Sequence, residues 1–271
     1  MGVLGRYVRP KPVLWTRARI EAWRQTGEKP GKVMVWTPEQ TGEFLDAVAG
    51  HRLYPMFHLM VFRGLRRGEA VGLPWAETDL RLGTVHISEQ LVASSYDVWE
   101  DTPKSESGAR TIKLDSETRK LLELWQARQA KERADWEEAA KVWKNTGLVF
   151  TWEDGGAYHP EYLSQVFMRL MKKLDLPPVR LHDLRHCAAT LSLAAGLHMK
   201  AIQVLLGHAS FSLTADTYTS VLPQFEEAQA EAPLALVPRK SPAHRDLAQE
   251  PEEKADVPPE DAADVPQEDA A

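Results

Sequence analysis

Six side chains in this sequence have the types needed to hold and attack a phosphodiester. In chain order they are Arg66, Lys104, His182, Arg185, His208 and Tyr218. Guanidinium groups bind phosphate oxygens through paired hydrogen bonds. A tyrosine hydroxyl can attack phosphorus, but with a pKa of about 10 it needs a proton acceptor and nearby positive charge at neutral pH. The set therefore indicates phosphoryl transfer in which side-chain cations replace a metal ion.

The first arginine lies in the segment Gly64-Leu-Arg-Arg-Gly-Glu69. Gly64 is expected to end one helix and Arg66 to open the next, where backbone N–H groups also attract anions. Glu69 lies three residues later on the same helix face and can hold the guanidinium in position. Taken alone, the pattern is better explained by a surface arginine paired with a glutamate.

The segment His182-Asp-Leu-Arg-His186 is the strongest local signal. On a helix, His182 and Arg185 share one face and His186 lies beside them. Two histidines four residues apart also suit a zinc helix. A guanidinium in the same cluster is unfavourable for a cation, so we expect neither a metal nor another cofactor.

The remaining three positions have ordinary interpretations when each is taken alone. Lys104 follows Thr102-Pro in the turn between two predicted strands, where a lysine is usually solvated. His208 follows Gly207, which is typical of a helix C-cap. Tyr218 lies on a short predicted helix, where most tyrosines are packing residues.

Together and in this order, these segments resemble the tyrosine recombinases, the phage-integrase family of DNA strand-exchange enzymes, over roughly residues 36–231. The resemblance implies that Arg66 and Arg185 clamp the scissile phosphate and that Tyr218 forms a covalent 3′-phosphotyrosine. One departure is Arg63, which stands where the family usually has a small residue. The related type IB topoisomerases share this chemistry, but the surroundings of His208 and the hairpin are more similar to the integrases.

The same resemblance implies roles for the other site residues. Lys104 would act as the general acid for the leaving 5′ oxygen, and His182 would take part in proton transfer at the tyrosine. His208 would donate a hydrogen bond to the phosphate. His186 is expected to have a structural role beneath the site.

The pattern of elements predicts a mainly α-helical fold with a small three-stranded antiparallel sheet. Thr37, Pro38 and Gln40 form the start of a capped helix. The β-branched or alternating segments predict strands at 84–92, 96–99 and 110–114. Predicted helices cover roughly 38–49, 52–63, 67–73, 115–143, 160–174, 182–195, 198–206 and 211–220.

Two terminal regions are expected to lie outside the catalytic unit of residues 36–231. Residues 1–35 are predicted to form a loosely organised extension or linker with one short helix that begins after Thr16. Residues 232–271 are predicted to be an acidic, Pro- and Ala-rich disordered tail. Residues 223–271 hold 13 acidic and 4 basic residues, so the rest of the chain has a net charge of +3 although the whole has −6.

Composition bounds the class of protein. The 271 residues are 43% hydrophobic, enough for one good core, and contain no run suited to a membrane span. Cys187 is the only cysteine, which excludes an intramolecular disulfide and favours a cytoplasmic protein. We expect Cys187 to be a small buried residue on a helix.

The resemblance also implies partners. Double-stranded DNA is the expected substrate, bound by a homotetramer, with a full-length recombinase or an excisionase-like protein as a further partner. Only about 35 residues precede the capped helix, too few for the family's N-terminal core-binding domain. The alternative is therefore a truncated integrase remnant that binds DNA or a full-length recombinase without productive recombination.

Overall fold

Helices carry most of residues 10–94, 97–101 and 108–219, which are the residues that the computed structural model describes. They are α1 Arg17–Thr26, α2 Pro38–Ala47, α3 Tyr54–Arg63, α4 Arg67–Val71, α5 Ser116–Glu138, α6 Pro160–Met171, α7 Asp183–Ala194, α8 Met199–Leu206 and α9 Phe211–Tyr218. The strands are β1 Pro12–Leu14, β2 Val33–Val35, β3 Thr78–Asp79, β4 Thr84–Ile87, β5 Gln90–Ser94, β6 Asp97–Asp101 and β7 Arg110–Lys113. The predicted fold class, mainly helical with a three-stranded antiparallel sheet, is confirmed.

The sheet has the order β3-β4-β7, and each neighbouring pair is antiparallel. Val85 pairs with Ile112 and Ile87 with Arg110. Alternate residues of β7 are buried, so Arg110 and Ile112 point to the core while Thr111 and Lys113 point away from it. An arginine thus occupies a core-facing position of a sheet.

The membership of the sheet differs from the prediction. The expected strand 84–92 is divided into β4 and β5, and β5 pairs with β6 in a separate two-stranded ladder. β5 lies instead against α4, whose glycines permit close approach of its backbone. A Cβ on Gly68 would lie 2.5 Å from the carbonyl oxygen of Leu91, and one on Gly72 would lie 2.8 Å from its nitrogen. The structure therefore places β5 on α4 and pairs it with β6, outside the sheet that contains β4.

Helix α3 is the most continuously buried helix of the described core. Its residues from Met56 to Val61 are all buried, and it packs against α7, α5 and α2. Phe57 makes aromatic contacts with Phe44 and Phe167, at ring-centroid distances of 5.7 and 6.0 Å. Truncating such a fully buried ring to alanine costs about 3–5 kcal/mol.

Residues 12–35 are well organised, whereas the sequence predicted a loosely organised extension. β1 and β2 pair in parallel with α1 between them. The fully buried indoles of Trp15 and Trp36 donate hydrogen bonds to the carbonyl oxygens of Pro178, at 3.3 Å, and Pro177, at 2.8 Å. These two bonds fix the segment against the loop that precedes α7.

The helix boundaries agree with the prediction at most ends. The capping box of α2 is present, with Thr37 and Gln40 bonded reciprocally. Thr16 precedes α1 as expected but makes no side-chain cap bond. α5 ends at Glu138 rather than near residue 143, because the chain turns at Ala140, which has a φ of 53°. Residues 102–107 and 220–271, which include Lys104 and the acidic tail, lie outside the described residues.

Candidate active site

An open cleft of about 640 Å³ is formed where α4, α7, α8 and α9 converge. Arg66, His182, Arg185 and His208 are among the side chains that line it. These residues span more than 140 positions of the sequence and include four of the six predicted site residues. The cleft therefore brings together groups that the sequence suggested only by type and order.

Gly64 fixes the direction in which the chain enters the cleft. It ends α3 with a φ of 65°, a left-handed conformation that glycine adopts without steric cost. A Cβ at this position would lie 2.8 Å from the side chain of Leu206 on α8. The turn at Gly64 allows Arg66 to stand at the start of α4, as predicted.

Arg66 is held by the glutamate that the sequence indicated. The Glu69 carboxylate accepts hydrogen bonds from the backbone nitrogen of Arg66, at 2.8 Å, and from its Nη1 atom, at 2.6 Å. The side chain of Arg66 is 35% exposed, whereas that of Glu69 is 2% exposed. The guanidinium is thus anchored on its buried side and accessible to a ligand from the cleft.

Arg110 is a component of this cluster that sequence reasoning missed. It donates from Nη1 and Nη2 to the two oxygens of Glu69, at 3.0 and 2.8 Å. Burial alone would raise the pKa of the Glu69 carboxyl. The hydrogen bonds and charge of Arg110, with the charges of the cleft arginines, lower it to about 2. The signal for Arg110 was its place on the same strand face as Ile112.

Arg185 lies on the first turn of α7 and is 4% exposed. Its Nη1 donates to the carbonyl oxygen of Gly64 at 2.6 Å, and its Nη2 donates to that of Leu206. Burial, followed by the charge of Arg66, lowers the pKa of Arg185 to about 9. The guanidinium therefore stays protonated at neutral pH, and it joins the ends of α3 and α8.

Tyr218 is fully buried at the end of α9, and its hydroxyl lies 2.8 Å from Nδ1 of His186. Burial raises the pKa of the Tyr218 phenol and, with a smaller effect of His182, lowers the pKa of His186 to about 4. Both groups are therefore neutral at pH 7. In this arrangement the phenol is protonated and shielded from solvent.

The histidine that contacts the tyrosine is not the one the sequence suggested. His182 was expected to exchange the proton of Tyr218 and His186 to be structural. The structure gives the hydrogen bond to His186, and the His182 ring lies 5.7 Å from that of His186 in an edge-on arrangement. Burial, followed by the charge of Arg185, lowers the pKa of His182. His186 therefore joins the candidate site residues.

His208 follows the left-handed C-cap Gly207 at the end of α8, as predicted. Its Nδ1 lies 2.9 Å from the hydroxyl of Thr214 on α9. The side-chain amide of Gln203 also donates to its carbonyl oxygen at 3.0 Å. His208 thus connects α8 to the helix that carries Tyr218.

Cys187 is buried within α7, as expected. The backbone nitrogen of Trp36 lies 3.5 Å from its Sγ atom, and burial raises the pKa of the thiol to about 12. A thiol in this state is protonated at neutral pH and is a poor nucleophile. Cys187 is therefore a packing residue between α7 and the segment that follows β2.

Comparison with known proteins decides the family. Residues 35–224 match the profile of the phage integrase family. The chain belongs to this family. The matched region contains every residue that lines the cleft apart from Pro10 and Val33.

Relatives of this phage integrase family member include recombinases of mobile elements. It is 29% identical to a "Tyrosine recombinase XerC-like" protein of Caldanaerobacter subterraneus, over 71% of this chain and 52% of that protein. It is 27% identical to the ICEBs1 integrase of Bacillus subtilis, over 74% of this chain and 54% of that protein. The chain thus spans about half the length of these relatives.

Solved structures agree with the fold. The Tn1549 transposon integrase in complex with transposon right end DNA has a TM-score of 0.58 and 25% identity, covering 73% of this chain and 65% of that one. The XerA recombinase has a TM-score of 0.57 at 19% identity, covering 72% and 64%. None of the helices in the described part of this family member is both long and apolar enough to cross a membrane.

Proposed function

We propose that this chain is the catalytic part of a site-specific DNA recombinase that cleaves and rejoins DNA strands through a 3′-phosphotyrosine at Tyr218. The observation that carries this proposal is the position of Tyr218. Its hydroxyl is bonded to His186, which lines the same cleft as Arg66 and Arg185. A nucleophile thus borders a site with two guanidinium groups, which is the arrangement that phosphoryl transfer requires.

Arg66 and Arg185 would bind the scissile phosphate. Both are held by hydrogen bonds to the protein, so little reorganisation is needed when charge develops on the phosphate oxygens. His208 would donate a further hydrogen bond to the phosphate, and its bond to Thr214 places it beside α9. No metal ion is needed, since the arginines supply the positive charge.

Tyr218 would have to leave its buried position to reach phosphorus. Its phenolic proton would pass to a neutral imidazole, and His186 is already within hydrogen-bond distance. The new bond joins the tyrosine oxygen to phosphorus, and the bond from phosphorus to the 5′ oxygen breaks. Lys104 would supply the proton that this oxygen takes up, and His182 would assist transfer at the tyrosine. Rejoining reverses these steps.

We propose double-stranded DNA as the substrate and a homotetramer on two DNA sites as the working assembly. A full-length recombinase or an excisionase-like protein would be an accessory partner, and the cytoplasm would be the place of action. Two of the named similarities support DNA as the substrate: the ICEBs1 integrase is a relative, and a similar structure is an integrase in complex with transposon right end DNA.

The test uses a library of DNA duplexes, so that no target sequence has to be assumed. The purified chain is mixed with nicked duplexes of random sequence that lose a short fragment after cleavage, which traps a covalent adduct. We expect adducts that survive denaturation, form in EDTA, and are absent with Tyr218→Phe. Sequencing the trapped DNA gives the preferred site. Adducts that persist in Tyr218→Phe, or wild-type protein that forms none, would contradict the proposal.

A further inference from the structure

Arg110 is a buried cation whose hydrogen bonds reach three separate parts of the candidate site. Its side chain is 3% exposed, and it projects from the core-facing side of β7. The Nη atoms donate to Glu69, Nε donates to the carbonyl oxygen of Leu205 at 2.8 Å, and Nη1 also donates to that of Gly108 at 3.0 Å. Arg110 is not among the residues that line the cleft.

These partners lie in different parts of the structure. Glu69 is the carboxylate that holds Arg66. Leu205 lies in the last turn of α8, three residues before His208. Gly108 is two residues before Arg110 in the chain. One guanidinium therefore bonds both to the carboxylate that holds Arg66 and to the backbone that leads to His208.

We infer that Arg110 is a positioning residue that keeps the guanidinium of Arg66 directed at the phosphate by sharing the carboxylate of Glu69. This inference rests on the proposed function. Glu69 Oε1 accepts from both Arg66 Nη1 and Arg110 Nη1. Without Arg110, the buried carboxylate would have Arg66 as its nearest cation. Arg66 would then bind Glu69 with more of its donors and compete less well for DNA.

Arginine is needed here because of its shape. Its five N–H donors form a planar fork that can bond a carboxylate with two atoms and backbone carbonyls with the rest. A lysine at the same position carries the charge but has three donors on a single atom. It therefore cannot reproduce the two-atom bond to Glu69 together with the separate bond to Leu205. Arg110→Lys therefore separates loss of geometry from loss of charge.

The experiment measures the rate of covalent adduct formation on a trapped site in two chemical forms. One is the natural phosphate, and the other is a methylphosphonate, in which a methyl group replaces one nonbridging oxygen and removes the negative charge. Because the arginine pair acts on that charge, a variant that acts through Arg66 loses rate on phosphate and little on methylphosphonate. The variants are Arg110→Met, Arg110→Lys, Arg66→Ala and the double variant of Arg66→Ala with Arg110→Met.

We expect Arg110→Met to slow cleavage of the phosphate about 10–100-fold, as for partners that orient a ligand-binding group. On methylphosphonate we expect a loss within about threefold, and the double variant should be no slower than Arg66→Ala alone. Arg133→Met, the same substitution at an exposed arginine of α5, should match the wild type on both substrates.

Thermal unfolding shows whether each variant folds. If Arg110→Met does not fold, Arg110→Lys tests the inference by its loss of rate on phosphate compared with that on methylphosphonate. An equal loss on both substrates, or no loss on phosphate, would overturn the inference while leaving the proposed function intact. A wild-type chain that forms no adduct on either substrate would instead overturn the proposed function and this inference with it.

Discussion

The two sides of the cleft are built in different ways. The arginine cluster, formed by Arg66, Glu69, Arg110 and Arg185, is tied to backbone carbonyls at the ends of α3 and α8 as well as to itself. The tyrosine corner, formed by His186 and Tyr218, is closed by one hydrogen bond at the end of the eight-residue α9. The charges that would meet the phosphate are preorganised, whereas the proposed nucleophile is buried and would have to move to reach the phosphate.

We therefore expect that a substitution in either the arginine cluster or the tyrosine corner impairs adduct formation. The two substitutions should lower the free energy of unfolding by different amounts. Arg185→Ala should slow adduct formation by about 10²–10³-fold. It should also lower the free energy of unfolding by about 2–4 kcal/mol, because two carbonyl oxygens lose a buried donor. Urea unfolding and the trapping assay measure the two effects.

Tyr218→Phe is the corresponding change in the tyrosine corner. It should abolish the adduct, yet lower the unfolding free energy by only about 1 kcal/mol, because one hydrogen bond is lost and the ring remains. Equal losses of stability in the two variants would show that the two sides are not held differently.

The arginine cluster should also give the protein an acid-sensitive stability. The folded-state pKa of Glu69, about 2, lies below its ordinary value of 4.5. The resulting stabilisation, roughly 3 kcal/mol by linkage, is complete above pH 4.5 and is lost as the pH falls toward 2. Glu69→Gln should therefore be less stable than wild type at pH 7, and the difference should shrink below pH 4.5.

Urea unfolding at several pH values checks this change against Glu138→Gln, an exposed position on α5. That control should differ little from the wild type across the same range. A difference between wild type and Glu69→Gln that stays constant from pH 7 to pH 3 would contradict the assigned role of the carboxylate.

In the tyrosine corner, the bond from His186 to Tyr218 can be measured by a double-mutant cycle. His186→Phe leaves a buried hydroxyl unpaired and should cost about 1–3 kcal/mol of unfolding free energy. In a Tyr218→Phe background the same substitution should cost about 1 kcal/mol less. His182→Phe is the control, and its cost should not depend on Tyr218. Coupling to His182 rather than His186 would restore the assignment that the sequence suggested.

The smallest effect is expected at the start of α9. The Ser210 hydroxyl accepts from the backbone nitrogen of Leu213 at 3.2 Å on an exposed turn. Ser210→Ala should cost less than about 1 kcal/mol. Amide hydrogen exchange should become faster in α9 and remain unchanged in α4. Uniform acceleration in both helices would mean that the tyrosine corner does not open separately from the arginine cluster.

The parts of this molecule that the sequence predicts are those set by neighbouring residues. The Thr37 capping box, the glycine turn before Arg66 and the C-cap at Gly207 all depend on contacts within a few positions. The helical periodicity predicted eight helices, and the order of the motifs predicted four of the residues that line the cleft: Arg66, His182, Arg185 and His208. Local rules were sufficient for these features.

What the sequence does not predict depends on tertiary contact. Arg110 and Glu69 are 41 residues apart, and their pairing follows from the register of β7. The bond between His186 and Tyr218 spans 32 residues and depends on how α9 packs against α7. The division of the strands follows from the close contact of Leu91 with α4. Each outcome is decided by packing that local patterns do not encode.

The most direct measurement is the identity of the residue that carries the DNA. After trapping on the selected site, nuclease and protease digestion leaves a peptide with a short nucleotide remnant, which tandem mass spectrometry can sequence. We expect a 3′-phosphate joined to the oxygen of Tyr218, in the peptide that includes α9. A remnant on any other residue, or one joined through a 5′-phosphate, would contradict the assignment of the nucleophile and the direction of cleavage.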